Sequence, residues 1–482
     1  MSTRRPNILW ICSDQQRHDT LGCQGNDFVR TPHLDRLAAG GMRFTRAFSQ
    51  SPVCTPSRAS FLTGRYPRTT RCRQNGQSIP EDEMLVTRLL ADAGYTCGLA
   101  GKLHLSPCHP EVTRGSERRI DDGYDEFHWS HHPSPDDWPT NEYFHWLRER
   151  GQSGDVRPSP LSRHIKSGVV AEHHQTTWCA QMAINFIEAH EDSDNPWLFS
   201  VNIFDPHHDF DPPPEYLQRY LDILDDIPLP NWQPGELADK PPWQAIDHVA
   251  AYNSPGSFPF PDMSERDHRL LRAAYWAMVD LIDEQVGRML AALERTGQLE
   301  DTIVIFMSDH GEMLGDHGIY LKGPCFYDPA IQVPLIVSQP GTIAPGVCED
   351  LTELVDLAPT LLEAAGEPVW PGMQGRSLWP LLTGQGEPAA PREDVYSEYY
   401  NAMPWHGSPG PQLTMLRTKT HKLVVAHGLA QGELYDLQAD PQEAHNRWRD
   451  PAYANVRMDL LQRLCDRMAW TVDPLPLREG QW

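Results

Sequence analysis

Apolar residues fall along this chain in short unbroken runs, each closed by a polar cluster, and the runs alternate with segments of helical period. Residues 7–12, 95–100, 196–204, 302–307 and 333–337 are such runs. Short apolar stretches that do not alternate predict strands buried on both faces, as parallel sheets require. The segments between them read as helices. Residues 32–41 open with Pro and close with Gly, 84–94 place Leu85, Leu89 and Leu90 on one face, and 173–190 place Met182, Phe186 and Ile187 together. The strongest pattern is 264–297, where Ile282, Val286, Met289, Leu290 and Leu293 repeat at helical spacing before Gly297; 356–365 ends in the same way at Gly366. Glycine just past the last apolar position is a helix stop, and alternating strands and helices predict an α/β fold wound on both faces of a mostly parallel sheet.

Two stretches lack this order. Residues 106–163 dissolve into Pro, Asp, His and Trp, including Trp129, His131, His132, Trp138 and Trp146, and 209–262 are rich in proline. Long connections without period are binding loops or lids, so the first is assigned to substrate selection, with its histidines at the surface, and the second to a further excursion over the same face. After Pro380 the composition shifts through Gly384, Gly386, Pro388 and Pro391, and 414–418, 422–426 and 433–437 read as antiparallel strands. The expected organisation is an α/β domain over 1–384 and a subdomain with a small antiparallel sheet over 385–482.

Charge narrows the partners. The 482 residues carry a formal net charge of -25, from 41 Lys and Arg against 66 Asp and Glu, which argues against nucleic acid and anionic membranes. An anionic substrate therefore needs positive charge concentrated at its site. No run of eighteen apolar residues occurs, and the N-terminal residues lead into a strand pattern rather than a signal-peptide core. Ten cysteines are scattered without a CxxC pair, so the expected location is the cytoplasm, where thiols stay reduced.

Candidate chemistry collects where the apolar runs end. Asp14 and Gln15, Lys102 and His104, His207 and His208, and Asp309 and His310 each follow a predicted strand, and Lys322 comes thirteen residues after Asp309. In doubly wound sheets ligands bind outside the carboxyl ends of the strands. The fifth segment is 51–65, in which Pro56 suits the first turn of a helix and Gly64 its end. Cys54 is thereby set at a helix N-terminus, an anion-binding position, with Arg58 one turn along.

Within that segment Cys54-Thr55-Pro56-Ser57-Arg58, followed by four residues and Thr63-Gly64, resembles the sulfatase signature without mismatch. The resemblance extends over about residues 6–384 and implies an alkaline-phosphatase-like α/β fold that hydrolyses sulfate monoesters of small molecules. It implies that Cys54 is oxidised to formylglycine by a formylglycine-generating enzyme. The hydrated aldehyde attacks sulfur with one hydroxyl, and deprotonating the other releases sulfate. Asp14, Gln15, Asp309 and His310 match the positions that hold one divalent cation together with the Cys54-derived group. Carboxylates and an amide oxygen suit Ca²⁺. The commonest sulfatase pattern has Asp at the Gln15 position and Asn at the His310 position, and an imidazole ligand moves the preference toward Mn²⁺.

The same resemblance assigns Arg58 to orienting the nucleophile, Lys102 and Lys322 to neutralising the transferred group, and His104 to the base for the second hydroxyl. His207 is the acid for the leaving alcohol, with His208 as the alternative. The nearest competing reading is a phosphonate monoester or phosphodiester hydrolase of the same superfamily, in which Asn75 resembles a substrate-binding position. A binding protein stabilised by metal, with Cys54 never converted, is the reading from a different class. A homo-oligomer is compatible with all three.

Overall fold

The computed structural model describes residues 5–109, 111–113, 115–132, 140–386, 390–407 and 410–480, so Trp138 and Pro388 lie outside the described residues. The main sheet runs in the order Gly346–Cys348, Met42–Phe48, Gln332–Ser338, Thr302–Ser308, Asn7–Ser13, Trp197–Asn202, Thr96–Gly101 and Glu126–Trp129, with Thr352–Glu353 pairing beside Met42–Phe48. Pairings are parallel except at Gln332–Ser338, which is antiparallel to both neighbours. Asn7–Ser13 is central: Leu9 lies in register with Phe199 on one side and Val304 on the other.

The unbroken apolar run of this strand has a simple cause. Its residues alternate between two cores, and both are dry. Ile8, Trp10 and Cys12 pack with Ala59, Phe61 and Leu62 of the helix Cys54–Thr63, whereas Leu9 and Ile11 pack with Leu34, Ile187 and Val286 of helices on the opposite face. The helix Glu265–Arg295 supplies much of that second face. It starts at a capping box in which Ser264 and Asp267 satisfy each other's backbone N–H groups.

The structure departs from the sequence reading where packing overrides pattern. Met42–Phe48 is a strand although Arg43, Thr45 and Arg46 interrupt its apolar run, because it lies one strand in from the sheet edge and is only partly covered. Residues 106–163 contain the strand Glu126–Trp129 and the helix Glu142–Glu149, and the proline-rich second excursion contains the helices Pro214–Leu221 and Pro242–Val249. Both of those helices begin with proline, which has no N–H to lose in a first turn.

The C-terminal sheet has four strands, Asp394–Tyr400, Gln412–Thr418, His421–Ala426 and Gln431–Asp436, followed by the helix Ala454–Trp470. Val395, Tyr399, Leu413 and Met415 share one apolar cluster with Phe48, Val53 and Met313. A buried ion network crosses the same seam, where Glu353 meets Arg392 at 2.8 Å and Arg467 at 2.7 Å. Among the described residues no helix is long and apolar enough to cross a membrane.

Candidate active site

The carboxyl ends of three parallel strands meet at one point. Asp14 N–H donates to the Asp205 carbonyl, Asp309 N–H to the Ser13 carbonyl and Lys102 N–H to the Asn202 carbonyl, so each functional residue is the first step of its chain off the sheet. Cys54 enters from the other side as the first residue of its helix, with Val53 before it extended and Gly64 after it left-handed at φ 67°. The helix start is completed by Asn75, whose Oδ1 accepts from Thr55 N–H at 3.0 Å. Ser57 Oγ donates to the Asp309 carbonyl, tying the helix to the strand end.

Asp14, Cys54, Asp309 and His310 present ligand atoms that all lie within 4.8 Å of one another, every one buried. Cys54 Sγ stands 3.1 Å from His310 Nε2, 3.7 Å from Asp14 Oδ1 and 3.0 Å from Lys322 Nζ. His310 Nδ1 bonds the Gly311 carbonyl, which only accepts, so that nitrogen carries the proton. In the neutral ring the Nε2 lone pair then faces the two carboxylates. Two carboxylates and an imidazole lone pair converging at zero exposure are a donor set that fits a divalent cation. The fifth residue expected here, Gln15, directs its Oε1 to Lys322 Nζ at 2.7 Å and its amide N–H to Glu312. Its backbone is held at φ 65° by Tyr275, whose hydroxyl donates to the Gln15 carbonyl at 2.6 Å.

Three buried cations surround the two carboxylates. Arg58 donates from Nε to Asp309 Oδ2 at 2.8 Å, from one terminal nitrogen to Asp14 Oδ2 at 3.3 Å and from the other to the Lys102 carbonyl at 2.8 Å. Its hydrogen bonds thus go to the carboxylates and the strand end, and it governs the Cys54 position through them. Lys102 Nζ also donates to Asp14 Oδ2. Burial pushes the Asp14 carboxyl up, yet Lys102, Arg58, Lys322 and His310 together hold it well below the usual carboxylate range. For Cys54, burial and Asp14 raise the thiol, but Lys102, Lys322 and His310 outweigh them and bring it down to about 7.

A cavity of about 510 Å³ adjoins Cys54 and is lined by Asn75, Lys102, His104, His207, Lys322 and several aromatic residues. His207 Nδ1 bonds the His208 carbonyl, so that nitrogen carries the proton and Nε2 accepts from Lys322 Nζ at 2.9 Å. This separates the adjacent histidines: His207, not His208, is held against Lys322 beside Cys54. Burial first and Lys322 second depress the His207 pKa well below the usual range. Burial and Lys102 do the same for His104, which is neutral at rest. Its backbone sits at φ 60°, fixed by Glu117, whose carboxylate accepts from the N–H groups of His104 and Leu105 at 2.7 and 2.8 Å.

All eleven residues singled out from the sequence are therefore at this site. Several others were not anticipated. Glu117 and Glu312 are buried carboxylates that strap the backbone, Glu312 accepting from the N–H groups of Leu314 and Leu321. His131 and His132, read as surface residues, line the cavity with Phe204, Tyr252, Met403 and Trp405. The cue available in the sequence for Glu312 was position, three residues after Asp309; His131 lies two residues past the strand Glu126–Trp129, which the sequence pattern did not show. Tyr252 and Trp405 come from loops whose sequence carries no period.

The family model described as Sulfatase matches residues 6–367, three quarters of the chain. The chain belongs to the sulfatase family. A second model, N-sulphoglucosamine sulphohydrolase, C-terminal, matches residues 315–469. Among relatives, the choline-sulfatase of Rhizobium meliloti is 31% identical over 94% of this chain and 84% of its own, and the sulfatase YidJ of Escherichia coli is 30% identical over 99% and 90%. Among solved structures, a phosphonate monoester hydrolase from Silicibacter pomeroyi superposes with a TM-score of 0.84 at 27% identity, covering 97% of this chain and 96% of its own. As a sulfatase the chain is a sulfuric ester hydrolase on the alkaline-phosphatase-like fold, in a family that generally uses a metal and formylglycine.

Proposed function

We propose that this sulfatase cleaves sulfate monoesters of apolar or aromatic alcohols with Cys54 converted to formylglycine and one divalent ion held by Asp14, Gln15, Asp309 and His310. The observation that carries this is the lining of the cavity: Phe204, Tyr252, Met403 and Trp405 supply apolar wall, and Lys102 and Lys322 supply positive charge beside Cys54. A sulfate group is drawn to that charge while its organic part rests on the apolar wall.

The ion, when bound, supplies Lewis-acid polarisation of the sulfate oxygens and lowers the pKa of the attacking hydroxyl. The donor set includes an imidazole, which favours Mn²⁺ or a similar ion over Ca²⁺. Around it the chain's own residues do the rest. Arg58 fixes both carboxylates; Asp309 accepts the proton of the attacking hydroxyl. Lys102 and Lys322 counter the charge that develops on the transferred group. His207 delivers a proton through Nε2 to the leaving oxygen, and an anionic sulfate lodged beside it and Lys322 favours that protonated form. His104, neutral at rest, removes the proton of the second hydroxyl and so releases sulfate. Asn75, with its Oδ1 committed to Thr55, offers only its amide N–H groups to the substrate.

The conversion of Cys54 calls for a formylglycine-generating enzyme, and the reduced state of its thiol before conversion accords with a cytoplasmic chain. The deciding experiment is turnover of a series of sulfate monoesters by fully converted enzyme. Aryl and apolar alkyl sulfates turning over at least tenfold faster in kcat/KM than acidic sugar sulfates supports the reading; the reverse order overturns it. Trp405→Ala then reports the wall directly, by raising KM for aryl sulfates.

A further inference from the structure

We infer that His104, Cys108 and His131 form a second metal site, selective for a borderline-soft divalent ion such as Zn²⁺, on the wall of the cavity. Their ligand atoms lie within 4.8 Å of one another, as do those of the Asp14 cluster, but no residue is shared between the two groups. The three come from two neighbouring strand ends: His104 and Cys108 follow Thr96–Gly101, and His131 follows Glu126–Trp129, its parallel neighbour. The rings of His104 and His131 meet edge to face with centroids 4.5 Å apart.

A buried carboxylate holds this arrangement together. Glu117 accepts from His104 N–H, from Leu105 N–H, from Trp129 Nε1 at 3.1 Å and from the Cys108 thiol at 3.6 Å. One side chain thereby sets both ligand-bearing loops. A separate observation points to a ligand: His104 is 7% exposed, and its Nδ1 is buried with no hydrogen-bond partner among the described residues. Burying such a nitrogen unpaired costs free energy that a bound ion returns.

The donor set decides which ion. Two imidazoles and a thiolate match Zn²⁺, whereas the Asp14 set, with two carboxylates and one imidazole, suits Mn²⁺, so the two sites select different metals. Three protein donors leave a fourth position open to the cavity. Binding displaces the Cys108 thiol proton to solvent, as thiolate ligation requires. Because a ligated imidazole cannot accept a proton, Zn²⁺ here silences His104 and inhibits hydrolysis. That consequence rests on the role proposed for His104; the site itself does not.

The test separates the two. In a Cys54→Ser background the Asp14 site has no thiol, so a thiolate-to-metal charge-transfer absorption on titration with Co²⁺ reports Cys108. With the Asp14 site first filled with Mn²⁺, the expected band saturates at one equivalent and disappears when Cys108→Ala is added; no band, or a band that survives, overturns the site. His131→Gln keeps the thiol and is expected to weaken Co²⁺ binding at least tenfold, which covers the case in which Cys108→Ala fails to fold. On converted wild-type enzyme loaded with its own metal, Zn²⁺ is expected to inhibit, with Cys108→Ala raising the inhibitory concentration at least tenfold. Equal inhibition of both overturns the assignment of inhibition to this site, and Zn²⁺ binding without inhibition overturns the role of His104 while leaving the site standing.

Discussion

The ammonium of Lys322 stands 3.0 Å from the sulfur of Cys54. The same nitrogen reaches Gln15 Oε1 at 2.7 Å and His207 Nε2 at 2.9 Å, so one side chain links Cys54 with the residues proposed as a metal ligand and as the acid. Lys322 is 2% exposed, and its charge acts in a medium that screens poorly. A group so placed contributes mostly where charge develops, in the transition state.

Lys322→Ala is therefore expected to lower kcat by about 100- to 1000-fold, the usual loss of roughly 3 kcal/mol for one preorganised donor, with a smaller change in KM. Steady-state kinetics on converted enzyme check this. A change confined to KM would show that Lys322 only gathers substrate.

Cys54 conversion is the second expectation. Mass spectrometry of the Cys54 peptide and activity, measured on one preparation, should rise together from zero. Active protein carrying only thiol at position 54 would remove the formylglycine mechanism. Cys54→Ala should be inactive and folded, because the helix start is held by Thr55 and Ser57 contacts that do not involve the thiol.

The third concerns the ion. Asp309 takes hydrogen bonds from Arg58 Nε and from the N–H groups of Gln15 and His310, so Asp309→Ala removes a proposed ligand and leaves Arg58 only its longer pairing with Asp14 at 3.3 Å. Asp309→Asn, which keeps the shape and one acceptor, is expected to retain the fold but lose activity by at least 1000-fold and to lose bound Mn²⁺, measured by elemental analysis. Full metal content in an Asp14→Asn, Asp309→Asn double variant would exclude this site.

How far the sequence revealed this arrangement depended on how local each cause was. Asn7–Ser13 and Thr302–Ser308 were legible because both faces are buried and the run is unbroken; the polar residues that end them then had one place to go. Cys54 was legible through its motif and its flanking proline and glycine. Met42–Phe48 was not, since its character as a strand comes from a partner far along the chain, Gln332–Ser338, and Asp394–Tyr400 was missed beside its neighbour Gln412–Thr418. His131 and Glu117 escaped for the same reason. Nothing within a few residues of either records that three segments close around them.

Stability should carry a pH signature from Asp283. Its carboxylate accepts from the N–H groups of Leu34 at 2.7 Å and His33 at 3.2 Å, capping the helix Pro32–Ala39 from a neighbouring helix. Burial pushes its pKa up to about 7, against the lowering effect of those two N–H groups. A carboxyl whose folded pKa is raised binds its proton more tightly when folded, so it favours the fold below about pH 4 and loses that advantage as pH rises toward 7. At about 1.4 kcal/mol per unit, the ceiling is roughly 4 kcal/mol. Melting temperatures at pH 5 and pH 8 should show Asp283→Asn gaining on wild type as pH rises. A constant difference would mean Asp283 is ionised throughout.

The preferred ester class turns on Lys102 and His104. The phosphonate monoester hydrolase from Silicibacter pomeroyi shares the fold at a TM-score of 0.84, so architecture alone does not separate the two chemistries. What favours sulfate here is the strand end after Thr96–Gly101, where Lys102 and His104 both face the cavity. Collapse of the sulfated diol depends on a base at the other hydroxyl, and neutral His104 is placed to serve. With matched 4-nitrophenyl sulfate, 4-nitrophenyl phosphate and 4-nitrophenyl phenylphosphonate, kcat/KM is expected to be highest for the sulfate. His104→Ala should stall turnover after the first chemical step, giving a burst of one equivalent of nitrophenol and an enzyme that retains sulfate. Faster phosphonate turnover, with sulfate hydrolysis undisturbed by His104→Ala, would transfer the enzyme to the phosphonate branch.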